Sequence, residues 1–478
     1  MLLSGQNIKK EYGIQKVLDI KKIEIFENDR IGIVGRNGVG KSTLLGILSG
    51  NILCDEGIIT RNCEIAEILQ SGESKGDSEG KFISQMKIRD SAIKSGGEKT
   101  RQAIANAFSK HAPLIFADEP TTNLDIDGIL TLEKMLVKYP GSVVLISHDR
   151  ELLDHVCNQI WEINEGHLKI FQGNYTAWYE QRIRERDFQT FEYEQYTQEK
   201  KRLEMSISNL KQNAKKAGKP PKRMGSSEWM LYKGTASIQQ GHVQKNAGAL
   251  SNRLKQLEKK ERPKELPNIS MKLGEQQKIK SKTAAKIINL TVKYDGKAVL
   301  NHVNLSILTG KKIFLTGNNG TGKTTLIRSL VNRVNQTFIT SDATVGYFSQ
   351  SQENLDYGRT VLENVMATAV VPEHICRAVL MNLYMNGNDS EKKVSVLSGG
   401  ERVKTAIAKV LVSGCNFLIL DEPTNHLDIY TMEGLEKLLS SYNGTVLVVS
   451  HDRKFTMNIA DMIYKIEEGM IQEPLEVL

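Results

Sequence analysis

The chain has 478 residues, of which 64 are Lys or Arg and 56 Asp or Glu, for a formal net charge of +8. That length accommodates two or three domains, each with its own hydrophobic core. It holds no 18-residue apolar run, and its start, MLLSGQNIKKEYG, lacks the regions of a signal peptide. A membrane-spanning or exported protein is therefore not expected, and the cytoplasm is the default address. Five cysteines (Cys54, Cys63, Cys157, Cys376, Cys415) are scattered without CxxC or His pairing, which argues against a disulfide framework or a zinc site.

In chain order the sequence is a repeat with an insert. GRNGVGKST (Gly35 to Thr43) recurs as GNNGTGKTT (Gly317 to Thr325), SGGE recurs at Ser95 and Ser398, LIFADEP recurs as FLILDEP, and SHDR recurs at Ser147 and Ser450. The offset is 282 residues at the first motif and 303 at each later one, so the second copy carries about 21 extra residues between Gln350 and Ser398. EIFENDRIGIVG reads as an apolar strand feeding a Gly-rich loop, with a helix at LLGILSG, and the same order returns at KKIFLTGNNGTGKTTLIRSL. PLIFADEP, SVVLISHD, FLILDEP and TVLVVSHD are short, continuous apolar runs, as expected of strands buried on both faces. Each half is expected to be α/β with a largely parallel core: domains at 1–174 and 287–478, with a linker at 175–286.

The linker reads as a helical hairpin. Apolar or small residues recur at Tyr193, Tyr196, Leu203, Ile207, Leu210, Ala214 and Ala217, broken only by Lys200, and again at Val243, Ala247, Leu250, Leu254 and Leu257. Spacings of 3 and 4 make two heptad seams that can pack as an antiparallel pair. Residues 200–264 hold 17 Lys and Arg against 4 Asp and Glu, a net of +13, so the rest of the chain is slightly acidic. Such a bias suits a surface that neutralises nucleic-acid phosphates, whereas an ordinary solvated helix face mixes both signs. A tip loop is expected near 218–240, opening with GKPPKR and carrying Trp229, Met230, Leu231 and Tyr232. That cluster either folds back as a small core or forms a contact element at the tip.

Two Gly-x4-Gly-Lys-Ser/Thr loops after strands carry the chemistry. Backbone N–H groups of Gly35, Asn37, Gly38 and Gly40, or of Gly317, Asn319, Gly320 and Gly322, are placed to cradle phosphates at a helix N-terminus with Thr43 and Thr325. Lys41 or Lys323 would neutralise β- and γ-oxygens, and Ser42 or Thr324 would ligate Mg2+. Asp118 and Asp421 end apolar strands where a carboxylate can hold the metal. Glu119 and Glu422 follow, placed to polarise the attacking water.

The Ser-Gly-Gly-Glu stretch between each phosphate loop and acidic strand makes the chain resemble the ABC ATPase superfamily over roughly three quarters of its length. The resemblance implies ATP and Mg2+ as cofactors. It also implies nucleotides sandwiched between the phosphate loop of one half and the signature of the other, in a functional monomer with an intramolecular ATPase dimer. Site one would combine Lys41, Ser42, Gln70, Asp118, Glu119 and His148 with Ser398, Gly399 and Gly400. Site two would combine Lys323, Thr324, Gln350, Asp421, Glu422 and His451 with Ser95, Gly96 and Gly97. In these terms Gln70 and Gln350 resemble the glutamines that sense the γ-phosphate and metal, and His148 and His451 resemble switch histidines. Tyr12 and Tyr294 resemble the aromatic that stacks on adenine, the alternative being plain strand packing. The first signature lacks the leucine present at Leu397 of the second, so unequal hydrolysis rates are expected.

DEPTNHLD from Asp421, the SHDR pair and the helical linker together resemble the ABC-F family, tandem ATPases that act on ribosomes. That implies large-subunit rRNA and P-site tRNA as partners, a linker tip reaching toward the peptidyl-transferase centre, and no stable membrane partner. Only 24 residues separate Gln70 from Ser95, and the linker is long. Both features resemble the antibiotic-resistance branch, which releases drugs from the large subunit. The alternatives are a general ABC-F translation factor and, from another class, the tandem ATPase subunit of a membrane importer.

Overall fold

The computed structural model describes the chain except residues 14, 70–78, 89–95, 218–225, 261–266, 268, 270–277, 295–296, 350–354, 473 and 477–478. It divides into two compact units, one formed by Met1–Trp178 with Leu266–Leu478 and the other by Tyr179–Glu265.

In the first unit, each half is built on a mainly parallel sheet. The runs Leu114–Asp118, Ser142–Ile146, Phe417–Asp421 and Thr445–Val449 are buried at every position, as strands covered on both faces must be. The first-half order is Ile65–Ile68, Leu114–Asp118, Ser142–Ile146, Arg30–Val34, Gln159–Asn164 and His167–Gln172, parallel up to the last, antiparallel pair. The second repeats it with Val345–Phe348, Phe417–Asp421, Thr445–Val449, Lys312–Thr316 and Met462–Glu467. An antiparallel sheet completes each half: Leu3–Tyr12 lies between Gln15–Ile25 and Glu56–Arg61, and Thr283–Tyr294 between Lys297–Leu308 and Thr337–Ile339.

This order decides where the chemistry sits. Arg30–Val34 runs into the first phosphate loop, its neighbour Ser142–Ile146 leads to His148, and the next strand ends at Asp118. All three arrive at the carboxyl edge of one parallel sheet, where open α/β sheets bind ligands. Between Gln350 and Ser398 the second half carries three helices, Val361–Met366, Glu373–Asn382 and Gly387–Ser390, where the described residues of the first carry one, Gly80–Gln85.

The second unit is helical. Tyr175–Ala217 is one helix of 43 residues and Ser226–Gln256 one of 31. The longer is about 64 Å at 1.5 Å per residue. Leu203, Ile207, Ala214 and Ala247 of the expected seams are buried, while Met205 is 69% exposed. Arg253 lies 3.3 Å from Glu199, and Lys260, just past the end of the second helix, 3.4 Å from Glu192, so the later the residue after the turn, the earlier its partner in the first helix, and the pair is antiparallel.

The expected tip loop needs correction. Residues 226–240 are helical, and the rest of the expected loop, 218–225, lies outside the described residues. Gly234 and Gly241 are carried within a helix, where one Gly costs only about 1 kcal/mol relative to Ala. Trp229, Met230, Leu231 and Tyr232 therefore sit in the opening turns of the returning helix, with Met230 81% exposed.

Candidate functional site

The phosphate loops need backbone that L side chains resist. Gly38 and Gly40 have φ of 78° and 105°, and Gly320 and Gly322 have 78° and 100°, the left-handed region that glycine enters without penalty. Gly40 and Gly322 cap the helices Lys41–Ser49 and Lys323–Val331, aiming free helix N–H groups at the loop. Lys41 Nζ donates to the carbonyls of Gly35 (2.8 Å) and Arg36 (3.1 Å), and Lys323 Nζ to those of Gly317 and Asn318 (both 2.8 Å). Both ammonium groups are thus held inside their loops.

Each loop is also bonded to the opposite half. The Asn37 backbone N–H donates to Asp428 Oδ2 (2.9 Å), and its side-chain amide donates to the His426 carbonyl (2.8 Å). In the mirrored site the Asn319 N–H donates to Asp125 Oδ2 (3.4 Å) and its amide to the Asn123 carbonyl (3.0 Å). The signature glycines lie against the same contacts. A Cβ on Gly400 would stand 2.9 Å from the His426 carbonyl and 3.1 Å from Asn37 Nδ2, and one on Gly97 would stand 2.7 Å from the Asn123 carbonyl.

A cavity of about 1970 Å³ joins these parts. Every described ATPase-half residue singled out from the sequence lines it except Gly35, Gly317 and Asp421. The first two present the carbonyls that hold the lysines, and Asp421 accepts from Thr324 Oγ1 at 3.4 Å. Tyr12 and Tyr294 line it with 52% and 58% of their surface exposed, so neither is a packed strand residue. Gln70, Gln350 and Ser95 lie outside the described residues. Ser398 caps the helix Gly399–Leu411 and donates its hydroxyl to Glu401 Oε2 (2.7 Å), so its first partner is its own capping box.

Glu119 and Glu422 adopt φ of 48° and 51°, uncommon for residues with a Cβ and worth about 1–3 kcal/mol of strain each. Their carboxylates lie 3.2 Å from Nε2 of His148 and His451. Burial raises Glu119 to about 8 and Glu422 to about 7, with Lys41 and Lys323 opposing. Burial, with the nearby lysines adding, lowers His148 to about 3 and His451 to about 4. It also lowers both lysines and raises Asp118 and Asp421.

Asp118 Oδ1, Asp421 Oδ2, Glu422 Oε2 and Nδ1 of both histidines are buried without a hydrogen-bond partner. Buried polar atoms normally find partners, so a concentration of orphaned ones marks where a polar ligand completes the structure. A polyanion beside the lysines and a cation beside the aspartates would restore the charged forms of both. The donor set thus fits ATP with Mg2+: Ser42 with Asp118, or Thr324 with Asp421, would hold the metal.

Motif reading missed Asp125 and Asp428, Asn123 and His426, and Arg101 and Lys404. Arg101 Nη2 lies 2.6 Å from Asp125, and Lys404 Nζ 3.5 Å from Asp428. The signal was present, since each pair is related by the 303-residue offset. What a linear motif does not show is that these loops face the opposite half.

The sequence model of the family described as ABC transporter matches residues 18–90 and 300–425. The chain is 31% identical over 482 residues to the erythromycin resistance ATP-binding protein MsrA of Staphylococcus epidermidis, covering 95% of this chain and 96% of that one. It is 29% identical over 482 residues to the ribosome protection protein VmlR of Bacillus subtilis, covering 98% and 87%. Among solved structures, the RNase-L inhibitor superposes with a TM-score of 0.66 at 20% identity, covering 98% of this chain and 90% of that one, a likeness of fold.

Proposed function

The chain belongs to the ABC-F family of tandem ATPases, and from that premise we propose that it protects ribosomes from antibiotics of the large subunit. In this reading it is a cytoplasmic monomer whose two ATPase halves (1–174 and 287–478) close on ATP and set the linker (175–286) against P-site tRNA and large-subunit rRNA. The observation that carries the reading is the insertion of a helical unit, with a net charge of +13 over residues 200–264, between two facing ATP cradles. A stiff basic hairpin gains affinity for phosphate-rich surfaces by counterion release. Likeness over nearly the whole chain to MsrA, and to VmlR, supports drug protection, with a general translation factor as the alternative.

In each cradle the backbone N–H groups of the glycine loop bind the phosphates, and Lys41 or Lys323 neutralises their oxygens. Gly96 and Gly97, or Gly399 and Gly400 with Ser398, bring the opposite signature against the γ-phosphate. Glu119 or Glu422 orients the attacking water, and His148 or His451, held neutral by burial, accepts or donates a hydrogen bond beside it. Tyr12 and Tyr294 flank the base at the mouth. Mg2+ supplies charge neutralisation at the phosphates when bound. Gln70 and Gln350 would sense that arrangement, hydrolysis would reopen the halves, and the tip at Trp229 to Tyr232 or a displaced tRNA would dislodge the drug.

Expression in a drug-sensitive host tests the reading. Raised inhibitory concentrations for large-subunit drugs, lost in Lys41→Ala and Lys323→Ala, support it. Joint Glu119→Gln and Glu422→Gln substitution should also retain the protein on ribosomes with ATP. A protein that never sediments with ribosomes under those conditions refutes the proposal.

A further inference from the structure

We propose that Arg36 is a positioning residue that ties ATP site one, and not site two, to the root of the interdomain helix through Tyr384 and Tyr430. The inference rests on the two cradles being ATP sites and uses no property of the ribosome.

Arg36 stands in the first phosphate loop, next to Asn37. Its Nη2 donates to the Tyr384 carbonyl at 2.6 Å, and its guanidinium lies 5.3 Å from the centre of the Tyr384 ring, within cation–π range. Tyr384 belongs to the stretch between Gln350 and Ser398 where the second copy is longer. Its ring meets Tyr430 at 6.0 Å, and Tyr430 meets Trp178 edge-on at 6.5 Å and 90°. Both are favoured aromatic geometries. Trp178 is 1% exposed and lies in the first turn of the helix Tyr175–Ala217, packed on Tyr175 at 5.3 Å. Tyr430 also donates its hydroxyl to Glu162 Oε1 at 2.6 Å, and Glu162 pairs in the sheet with Val34, the residue before the phosphate loop.

Two of these contacts join opposite halves, Arg36 to Tyr384 and Tyr430 to Glu162, and a third, Tyr430 to Trp178, joins the second half to the root of the helix that leaves the first. Separation of the halves must break them, and closure must remake them together. That gives the series a two-state character, which mere adjacency of packed side chains would not supply. The second site is built differently. Arg36 corresponds by the 282-residue offset to Asn318, and Tyr430 by the 303-residue offset to Asp127. Those two residues meet directly, Asn318 Nδ2 donating to Asp127 Oδ2 at 3.0 Å. A polar contact between short side chains thus stands where the first site has an arginine and two tyrosine rings packed edge-on.

The test uses the full chain labelled with 5-fluorotryptophan. Its three tryptophans are Trp161, Trp178 and Trp229, and single Trp→Phe variants assign the three fluorine resonances. In a Glu119→Gln and Glu422→Gln background, which stops turnover, ATP should shift the Trp178 resonance, because Tyr430 stands edge-on to it. Tyr430→Leu should abolish that shift while equilibrium dialysis still finds two ATP per chain, and Tyr430→Phe should restore it. Arg36→Asn, the residue of the second loop, should abolish it, whereas Asn318→Ala should leave it in place. A shift that survives both Arg36→Asn and Tyr430→Leu overturns the coupling, as does two bound ATP with an unmoved resonance in the parent. Failure to bind two ATP overturns the reading of the cradles, and the coupling with it.

Discussion

Asn37 and Asp428, 391 residues apart in sequence, meet at 2.9 Å, the backbone N–H of a phosphate loop donating to a carboxylate of the opposite half. Asp428 also caps the helix Ile429–Ser441 through Thr431 and faces the buried Lys404. Burial alone would raise its pKa, but Lys404 and the N–H groups of Asn37 and Thr431 outweigh that and hold the carboxyl well below its usual range. One side chain therefore serves helix, ion pair and interface.

Asp428→Asn separates these roles. Asn caps helices about as well as Asp, so the helix start survives, while Lys404 is left buried opposite a neutral amide. Removing one partner of a buried pair typically costs about 3–5 kcal/mol. The expected result is a marked fall in melting temperature, partly recovered when Lys404→Met is added. Asp125→Asn should fall less, because its partner Arg101 is 21% exposed and keeps access to water.

Stability of the nucleotide-free protein should depend on pH through its glutamates. Glu119 and Glu422 are raised from 4.5 to about 8 and about 7, chiefly by burial. A raised folded-state pKa contributes stability that is complete below the unfolded value and lost as pH rises through the folded one. The glutamate contribution to stability should therefore be lost between about pH 4.5 and pH 8. The Glu119→Gln and Glu422→Gln double variant lacks this loss. Its melting temperature should match the parent near pH 4.5 and exceed it by several degrees above pH 8. His148 and His451, lowered from 6.5, weaken both proteins alike as pH falls below 6.5. A constant difference across that range would show that the glutamates are charged in the folded protein.

The architecture was legible because tandem motifs and continuous apolar strands are local signals. Gly38, Gly40, Lys41 and their second-half counterparts fall where the motif placed them, since a phosphate cradle is built from consecutive residues. The pairing of Asn37 with His426 and Asp428 was not, because which loop of one half faces which loop of the other depends on packing of whole domains. The start of the helix at Ser226 was missed for the opposite reason: local Gly and Pro signals were weighed over a seam that continues on both sides. Arg36 and Tyr384 gave no signal, since Tyr384 lies where the repeat loses its register.

Alanine at the signature glycines should separate the sites. Gly400→Ala puts a methyl group 2.9 Å from the His426 carbonyl and 3.1 Å from Asn37 Nδ2, and Gly97→Ala puts one 2.7 Å from the Asn123 carbonyl. Backbone cannot yield as a side-chain tip can, so each change should displace the loop carbonyl, of His426 or Asn123, that accepts from the opposite phosphate loop, and so disfavour closure of that site. A Cβ on Gly399 meets nothing within 4 Å, so Gly399→Ala should fold and close normally. Steady-state ATPase assays should show at least a tenfold loss in kcat for Gly400→Ala and Gly97→Ala. Near-parent rates in both would mean that turnover does not require the closed arrangement.

The hairpin should be separable from the ATPase halves. Leu203 is 2% exposed in the helical seam, whereas Met205, two residues on, is 69% exposed. An aspartate at Leu203 would bury a carboxylate without a partner, a cost of several kcal/mol that a two-helix unit has little reserve to absorb. At Met205 the same change meets water. Leu203→Asp should therefore loosen the hairpin, seen as faster amide exchange across residues 193–217 and 243–256, while ATP hydrolysis without ribosomes stays within about twofold, about 0.4 kcal/mol in barrier terms. If drug protection depends on a stiff hairpin, Leu203→Asp should abolish it and Met205→Asp should retain it. Equal protection by both variants would locate the recognition element outside the seam.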